Sequence, residues 1–389
     1  MSLITDQDGL KALTERLSKA PYITVDTEFM RDNSYYSKLC LIQVADQDGA
    51  FAIDPLSPDL DLEPFYDLLF DPLVIKVFHA CRQDMEIFFH AKGRLPAPIF
   101  DTQVAAMVCG FGDSAGYETL VKQIVGQSLD KTARFTDWSR RPLSDRQLTY
   151  ALGDVTHLRV IYEKLRDSLA KNGREGWVAE EMNILTSPDT YRLDPVNAWE
   201  RIKFRSGTPR FIARLQALAR WREELAQARD IPRSRVAKDD VLLEIAAHPP
   251  AQIEALDQVR GLSRGFHASN PGAALWDALQ EAQAIPEQEL PKKPHSPRPS
   301  QKTPAIADLL KVLLKCRCED AGVAHKLVAS GADIDEIARN AHAPVPAMTG
   351  WRYELFGRDA QALREGAIAL TAHGNHIEIV EIEPANDSA

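Results

Sequence analysis

Four acidic residues and one tyrosine have the types and spacing that metal-dependent phosphodiester chemistry requires. Asp26 and Glu28 stand two residues apart in a strand-like run, so their side chains leave the same face of a strand. Tyr150 and Asp154 stand four residues apart in a helical pattern and share a helix face. Together with Asp84, three segments can aim carboxylates at one point, where they repel unless divalent cations lie between them. The sequence therefore predicts an all-oxygen site for Mg²⁺ or Mn²⁺, suited to two-ion phosphodiester hydrolysis.

Each of these residues taken alone has a commoner explanation. An Asp-x-Glu pair usually lies on a solvated strand face, and Asp84 is simply explained as an acid at a helix N-terminus. Tyr150 is more often a core tyrosine, with Asp154 a surface acid. The apolar flanks Ile23 and Val25 favour a central strand, in which charged side chains need partners. Only the combination points to catalysis.

Three short motifs are similar to those of a known enzyme family. They are Asp-Thr-Glu-Phe at 26–29, His-Ala-x3-Asp at 79–84 and Tyr-x3-Asp at 150–154, in that order. The set resembles the DEDD exonuclease superfamily, and the tyrosine of the third motif marks its DEDDy branch. Further stretches resemble the ribonuclease D family, at 39–45, 100–103, 129–131 and 136–144. The resemblance implies an α/β domain of the ribonuclease H-like 3′–5′ exonuclease fold, a mixed sheet flanked by helices, followed by two small all-α HRDC-like domains.

The resemblance also assigns roles within the site. The four carboxylates would bind two divalent cations, and Tyr150 would orient the attacking water, releasing 5′-nucleoside monophosphates. Lys131 and Arg141 are expected to grip phosphates, although pairing with nearby acids is an equal alternative. Gln43 matches the family's Leu-Ile-Gln-Val and is expected to contact substrate, without a physical reason that settles its role. His79 is expected in the wall of the site, because Mg²⁺ prefers oxygen ligands.

The composition limits the remaining possibilities. The chain has 389 residues, 44% of them hydrophobic, which suggests two or three domains with substantial cores. No apolar run is long enough to span a membrane, and the N-terminus does not resemble an export signal. The five cysteines are widely spaced, and Cys316-Arg-Cys318 has no second pair to complete a zinc site. Reduced thiols in a cytoplasmic protein are therefore expected.

The net charge of −10 is unevenly distributed along the chain. Residues 201–238 contain eleven basic and three acidic residues, so this stretch carries +8 and the rest of the chain −18. A local basic surface can hold a phosphate backbone whatever the global charge. A solvated helix face is the alternative explanation.

Turn residues and apolar periodicity predict the domain organisation. The exonuclease domain is expected over 1–190 and an HRDC domain over 205–285, the latter carried by Trp221-Arg-x3-Ala226-x3-Asp230-x-Pro232. Prolines indicate an extended linker at 286–304, which would let a second, diverged HRDC-like domain at 305–375 move as a unit. The tail from Glu378 is expected to fray. Thr5 is expected to cap the first helix, and Thr208-Pro209 to begin a later one.

The same patterns predict individual elements of the N-terminal domain. Strands are expected at 22–29, 39–45, 50–53, 73–79 and 99–100, and helices at 63–70, 84–91, 102–109, 117–125 and 144–171.

The predicted function is removal of nucleotides from RNA 3′ ends by a monomeric, cytoplasmic 3′–5′ exoribonuclease. Structured RNA such as tRNA precursors is the expected substrate and partner, with no membrane association. The alternative is a nucleic-acid-binding module, or a DNA-directed exonuclease acting in repair. The motifs do not separate RNA from DNA, since both substrates contain the same scissile phosphate. Resemblance to ribonuclease D favours RNA.

Overall fold

The computed structural model describes residues 2–129, 133, 136–291, 305–340 and 342–382. The N-terminal part is built on a six-stranded mixed sheet with the order β1-β4-β3-β2-β5-β6. Its strands are β1 (Ser2–Ile4), β2 (Tyr22–Met30), β3 (Lys38–Ala45), β4 (Ala50–Ile53), β5 (Ile75–Phe78) and β6 (Ile99–Asp101). The β2–β3 and β3–β4 pairs are antiparallel, and the other neighbours are parallel. The helices around the sheet are α1 (Gln7–Leu17), α2 (Glu63–Phe70), α3 (Arg82–Lys92), α4 (Thr102–Val108), α5 (Tyr117–Leu120), α6 (Asp145–Asn172) and α7 (Glu175–Leu185).

The alternation along β2 decides which residues face the site. Ile23 and Val25 have no exposed surface and belong to the largest hydrophobic core. Thr24 points to the opposite face, where its hydroxyl donates to the carbonyl of Val155 on α6 at 2.9 Å. Because side chains alternate along a strand, Asp26, two residues after Thr24, also leaves β2 on the α6 side.

Helix α6 carries the third motif across this face of the sheet. Ser144 caps it, with a reciprocal capping box to Gln147, and Gly173 ends it at φ 66°, a left-handed conformation that suits glycine. Its 28 residues span roughly 42 Å, long enough to pass β2, β3, β4 and β5. The expected helix at 144–171 is therefore confirmed to within one residue at each end.

A second, helical core follows the exonuclease part. It contains α8 (Pro209–Arg229), α9 (Arg233–Val236), α10 (Asp239–Ala247) and α11 (Asn270–Ala284). Thr208 caps α8 and Pro209 is its first residue, as predicted. Asp230 ends α8 at φ 48°, and its carboxylate accepts from the backbone amides of Tyr35 and Tyr36 in the loop after β2. The helical core is thereby attached beside the strand that carries the first motif.

A third core contains α12 (Ile306–Ala321), α13 (His325–Val328), α14 (Gly331–Arg339), α15 (Gly350–Arg352) and α16 (Arg358–Glu365). It ends in a hairpin of β7 (Ile368–His373) and β8 (His376–Glu381), so the expectation of a purely helical module was incomplete. The expectation of a frayed tail from Glu378 is wrong for the described residues, because Glu378 lies in β8.

The third core is docked on the exonuclease part, although the sequence predicted free movement on a proline-rich linker. The rings of Trp177 on α7 and Trp351 on α15 stack at 4.5 Å with an interplanar angle of 13°. Glu181, which is 7% exposed, accepts from the Trp351 indole at 3.1 Å and from Arg352 at 2.7 Å. If the two modules separated, the buried carboxylate of Glu181 would lose both hydrogen-bond partners, which is unfavourable in free energy. Residues 292–304 of the expected linker lie outside the described part.

Smaller departures from the predicted elements have local causes. Asp6, not Thr5, caps α1, because its carboxylate accepts from the amide of Gly9. Thr5 instead follows β1, a three-residue edge strand too short to show a pattern in the sequence. The strand expected at 73–79 begins only at Ile75, and Leu73 is 84% exposed. In the described part, no helix combines the length and the hydropathy needed to cross a membrane.

Candidate active site

Three of the four predicted carboxylates converge at one point. One ligand oxygen from each of Asp26, Glu28 and Asp154 lies within 4.8 Å of the other two. The first two come from β2 and the third from α6, as the strand and helix spacings predicted. All three are partly exposed and all donors are oxygen, which fits a hard divalent cation such as Mg²⁺ or Mn²⁺.

Asp84 lies beside this cluster but outside it. Its carboxylate is 6% exposed and accepts a hydrogen bond from the hydroxyl of Thr27. It lies in the first turn of α3, so the helix N-terminus favours its negative charge. The structure therefore brings three carboxylates together and places the carboxylate of Asp84 next to Asp26.

Desolvation raises the pKa of two of these carboxyl groups, those of Asp26 and Asp84. Desolvation raises the pKa of Asp26 to about 6, although the amide of Thr27 opposes the shift. Desolvation, followed by repulsion from Asp26, raises the pKa of Asp84 well above its ordinary value. A cation that replaces those protons would remove both penalties. Desolvation and repulsion at Asp26 and Asp84 therefore favour binding of a cation beside them.

Tyr150 lines a cavity of about 360 Å³ beside the carboxylates. Asp26, Asp154, His79 and Tyr117 also line it, and this volume lies within the range of small-ligand pockets. Tyr150 stands one helical turn before Asp154 on α6, so its hydroxyl and the carboxylate of Asp154 are carried on the same helix. The cavity can accommodate a terminal nucleotide against the carboxylates.

His79 forms part of the wall, as expected. Its Nδ1 lies 3.0 Å from the hydroxyl of Thr102, and that hydroxyl donates to the carbonyl of Phe78. Nδ1 is therefore the protonated nitrogen, leaving Nε2 as an acceptor. Burial lowers the pKa of His79, which keeps the ring neutral and unsuited to a role as a fixed positive charge.

Tyr117 is a site residue that the sequence did not reveal. Its hydroxyl donates to the carbonyl of Gly153 at 3.0 Å, one residue before Asp154. Desolvation, followed by the charge of Asp154, raises the pKa of Tyr117, so the phenol stays protonated. The only signal was its position at the start of a short helix, which carries no chemical information. Its contact with α6 arises from tertiary packing.

The three expected substrate contacts differ in their surroundings. Lys131 lies outside the described residues. Arg141 makes a bidentate ion pair with Asp54, with both distances 2.6 Å, and also donates to the carbonyl of Cys40. Asp54, rather than the nearer acids considered from sequence, is its partner. Gln43 has no exposed surface, so it cannot contact RNA directly from this position.

Most basic side chains of the stretch at 201–238 make hydrogen bonds or ion pairs within the protein. Arg210 and Arg214 donate to backbone carbonyls at helix ends, while Arg222 and Arg233 pair with Asp239 and Glu223. Among the described residues, four exposed cations of this stretch have no side-chain hydrogen bond or ion pair: Lys203, Arg205, Arg229 and Lys238. Fewer basic side chains are therefore available to bind phosphate than the eleven basic residues counted in the sequence.

Comparisons with known proteins agree with this architecture. A family model described as "3'-5' exonuclease" matches residues 1–170, and the HRDC domain model matches residues 212–277. A ribonuclease D of Granulibacter bethesdensis is 51% identical, with 97% of this chain and 96% of that protein covered. One of Jannaschia sp. is 50% identical, with 97% and 99% covered.

A solved structure extends the likeness to three dimensions. The crystal structure of Escherichia coli RNase D, described as an exoribonuclease involved in structured RNA processing, superimposes with a TM-score of 0.80 at 30% identity. The match covers 94% of this chain and 98% of that one. The shared length includes the helical modules as well as the sheet that carries the carboxylates. The chain belongs to the ribonuclease D family and is a 3′–5′ exoribonuclease.

Proposed function

We propose that this enzyme trims the 3′ ends of structured RNA, such as tRNA precursors, by two-metal phosphodiester hydrolysis. The observation that carries the proposal is the convergence of oxygens from Asp26, Glu28 and Asp154 within 4.8 Å, with Asp84 beside them. The crystallised Escherichia coli relative, described as acting in structured RNA processing, supports the choice of substrate class.

The four carboxylates would hold two Mg²⁺ or Mn²⁺ ions. When bound, these ions supply an acidified water and stabilisation of the departing 3′ oxygen. Asp26 belongs to the three-carboxylate cluster and also lies near Asp84, so it connects the two parts of the proposed site.

Side chains of the protein orient the attacking water and hold the substrate. Tyr150 hydrogen-bonds and orients the attacking water; a phenol with a pKa near 10 is a poor base at neutral pH. The cavity holds the terminal nucleotide and limits its exposure to bulk water. The neutral His79 offers Nε2 as an acceptor in the same wall. The product is a 5′-nucleoside monophosphate, released from the 3′ end one at a time.

The test uses matched RNA and DNA strands labelled at the 3′ end. The full-length enzyme should release labelled 5′-monophosphates from RNA in Mg²⁺ or Mn²⁺, and release should stop in chelator. Asp26→Asn and Asp84→Asn should nearly abolish turnover while the circular dichroism spectrum stays that of the parent. Full activity in chelator, or in Asp84→Asn, would refute the metal mechanism. A preference for the DNA strand would refute the proposal that RNA is the substrate.

A tRNA precursor with a 3′ extension tests the finer assignment. It should be shortened to a defined end, whereas a fully paired 3′ end should resist, because the cavity admits a single strand. Equal degradation of both substrates would contradict the proposed role in maturation.

A further inference from the structure

Gln43 is a buried polar residue whose hydrogen-bonding needs are unmet. It lies in the middle of β3 with no exposed surface. Neither Oε1 nor Nε2 has a hydrogen-bond partner among the residues that the structure describes. A buried donor or acceptor left unsatisfied costs about 1–3 kcal/mol, and such groups are rare in native proteins. A glutamine at this position therefore lowers the stability of the fold, relative to a leucine, by that amount.

The sheet register identifies the polar neighbour of this side chain. Gln43 pairs directly with Asp26 across β2–β3 and with Ala52 across β3–β4. Side chains of directly paired residues share a face, with Cβ atoms roughly 4.5–5.5 Å apart. Leu41 and Ala52 on that face pack with Ala151 of α6 in one small hydrophobic cluster. Asp26 is the polar residue that pairs directly with Gln43 on this face.

We propose that Gln43 is a positioning residue for the metal site, and that its Nε2 donates to the carboxylate of Asp26 when divalent cations are bound. This inference rests on the proposed metal site. A carboxylate that binds a cation on one side is held in place by a donor on the other, and losing such a donor typically lowers metal affinity about 10–100-fold. An amide supplies that donor without adding charge, whereas a lysine or a carboxylate would alter the charge balance beside Asp26.

The closing experiment compares Gln43→Leu with the parent and with Leu41→Met, a control on the same face of β3. Gln43→Met is a second variant with a flexible side chain, in case leucine disturbs folding. Two quantities are measured for each protein: the midpoint of thermal unfolding in chelator, and the Mn²⁺ dissociation constant by titration calorimetry without RNA. Asp154→Asn serves as the reference for a lost metal ligand.

Gln43→Leu should unfold at the same temperature as the parent or higher, yet bind Mn²⁺ about 10–100-fold more weakly. Leu41→Met should keep the parent's Mn²⁺ affinity. If Gln43→Leu and Gln43→Met bind Mn²⁺ within about twofold of the parent, the inference is overturned and Gln43 is a core residue only. If the parent itself binds no Mn²⁺, or Asp154→Asn binds it equally well, the proposed metal site fails instead.

Discussion

Tyr150 is the single residue whose proposed role depends on one hydroxyl group. Phenylalanine keeps the ring and its packing near Trp138, where the two ring centroids lie 6.1 Å apart, and removes only the hydroxyl. We expect kcat of Tyr150→Phe to fall roughly 10²-fold or more, with little change in RNA affinity, as for loss of one positioned acid–base or hydrogen-bonding group. Single-turnover rates and the dissociation constant in Ca²⁺ measure the two quantities. An unchanged rate would make Tyr150 a packing residue.

The raised pKa values of Asp26 and Asp84 make the stability of the metal-free protein depend on pH. Asp26 has a folded-state pKa of about 6, above its ordinary value of 3.8, so the folded state binds the proton more tightly than the unfolded state. This contribution to stability is fully present below about pH 4 and is lost as the pH rises through about 6. Asp84, whose pKa is raised in the same direction, extends the loss to higher pH.

Asp84→Asn should therefore be more stable than the parent in chelator above pH 6, because asparagine removes the repulsion and still accepts from Thr27. The difference should shrink toward pH 4. Thermal unfolding of both proteins between pH 4 and pH 8 measures it, with Asp48→Asn, a change at an exposed acid, as the control. Parallel curves for the parent and Asp84→Asn would contradict the expected repulsion. Added Mn²⁺ should stabilise the parent more than the variant.

At the scale of elements, a polar network joins the loop after β2 to α8 and the short helix α9. The hydroxyl of Tyr35 donates to Glu223, which is 1% exposed, and accepts from Arg233 at 2.8 Å and Gln227 at 3.1 Å. These contacts lie just beyond the strand that carries Asp26, so the helical core supports the site strand from outside.

Tyr35→Phe should destabilise this junction by about 1–3 kcal/mol, since it leaves buried polar groups of Glu223 and Arg233 without one partner. Chemical denaturation measures the loss, and Tyr36→Phe is the matched control in the same loop. Hydrogen exchange should increase in the loop after β2 and at the end of α8. Equal stability of Tyr35→Phe and Tyr36→Phe would show that the network does not hold the modules together.

For the molecule as a whole, the question is how much the helical half contributes to RNA binding. Truncation near Ser187 would remove the basic stretch, but the structure shows that it would also expose Trp177 and leave Glu181 without Trp351 and Arg352. A cut at this point therefore disturbs a packed interface. Charge substitutions in the full chain separate the two effects.

The double variant Lys203→Gln, Arg205→Gln changes two exposed cations that make no internal hydrogen bond or ion pair among the described residues. RNA affinity should fall, and the slope of log K against log salt should become shallower by about 0.7 for each lost phosphate contact. Dissociation constants for a tRNA-sized RNA at several salt concentrations measure this. Lys164→Gln, Lys171→Gln, which removes the same charge from the exposed side of α6, should leave the slope unchanged. Identical slopes for both double variants would assign the helical half to another role.

The sequence by itself determined the chemistry of the site, because that chemistry depends on residue types and on their spacing over a few positions. The two-residue spacing of Asp26 and Glu28 and the four-residue spacing of Tyr150 and Asp154 place each pair on one face whatever the tertiary fold. The boundaries of α2 and α8 follow from local capping and proline signals, which also act within a few residues. The family likeness added the order of the motifs and the enzyme class.

Only the tertiary structure decided which distant groups meet. The ion pair of Arg141 with Asp54 spans 87 positions, and the burial of Gln43 against Asp26 depends on strand register. The docking of Trp351 on Trp177 joins segments separated by a proline-rich stretch that favoured independence. Local rules cannot identify such partners, because the free energy of each contact depends on packing between elements that are far apart in the chain. The pairing of Asp26 with Glu28, and of Tyr150 with Asp154, was predictable from type and spacing, whereas the approach of the two pairs and their supporting contacts were decided by the fold.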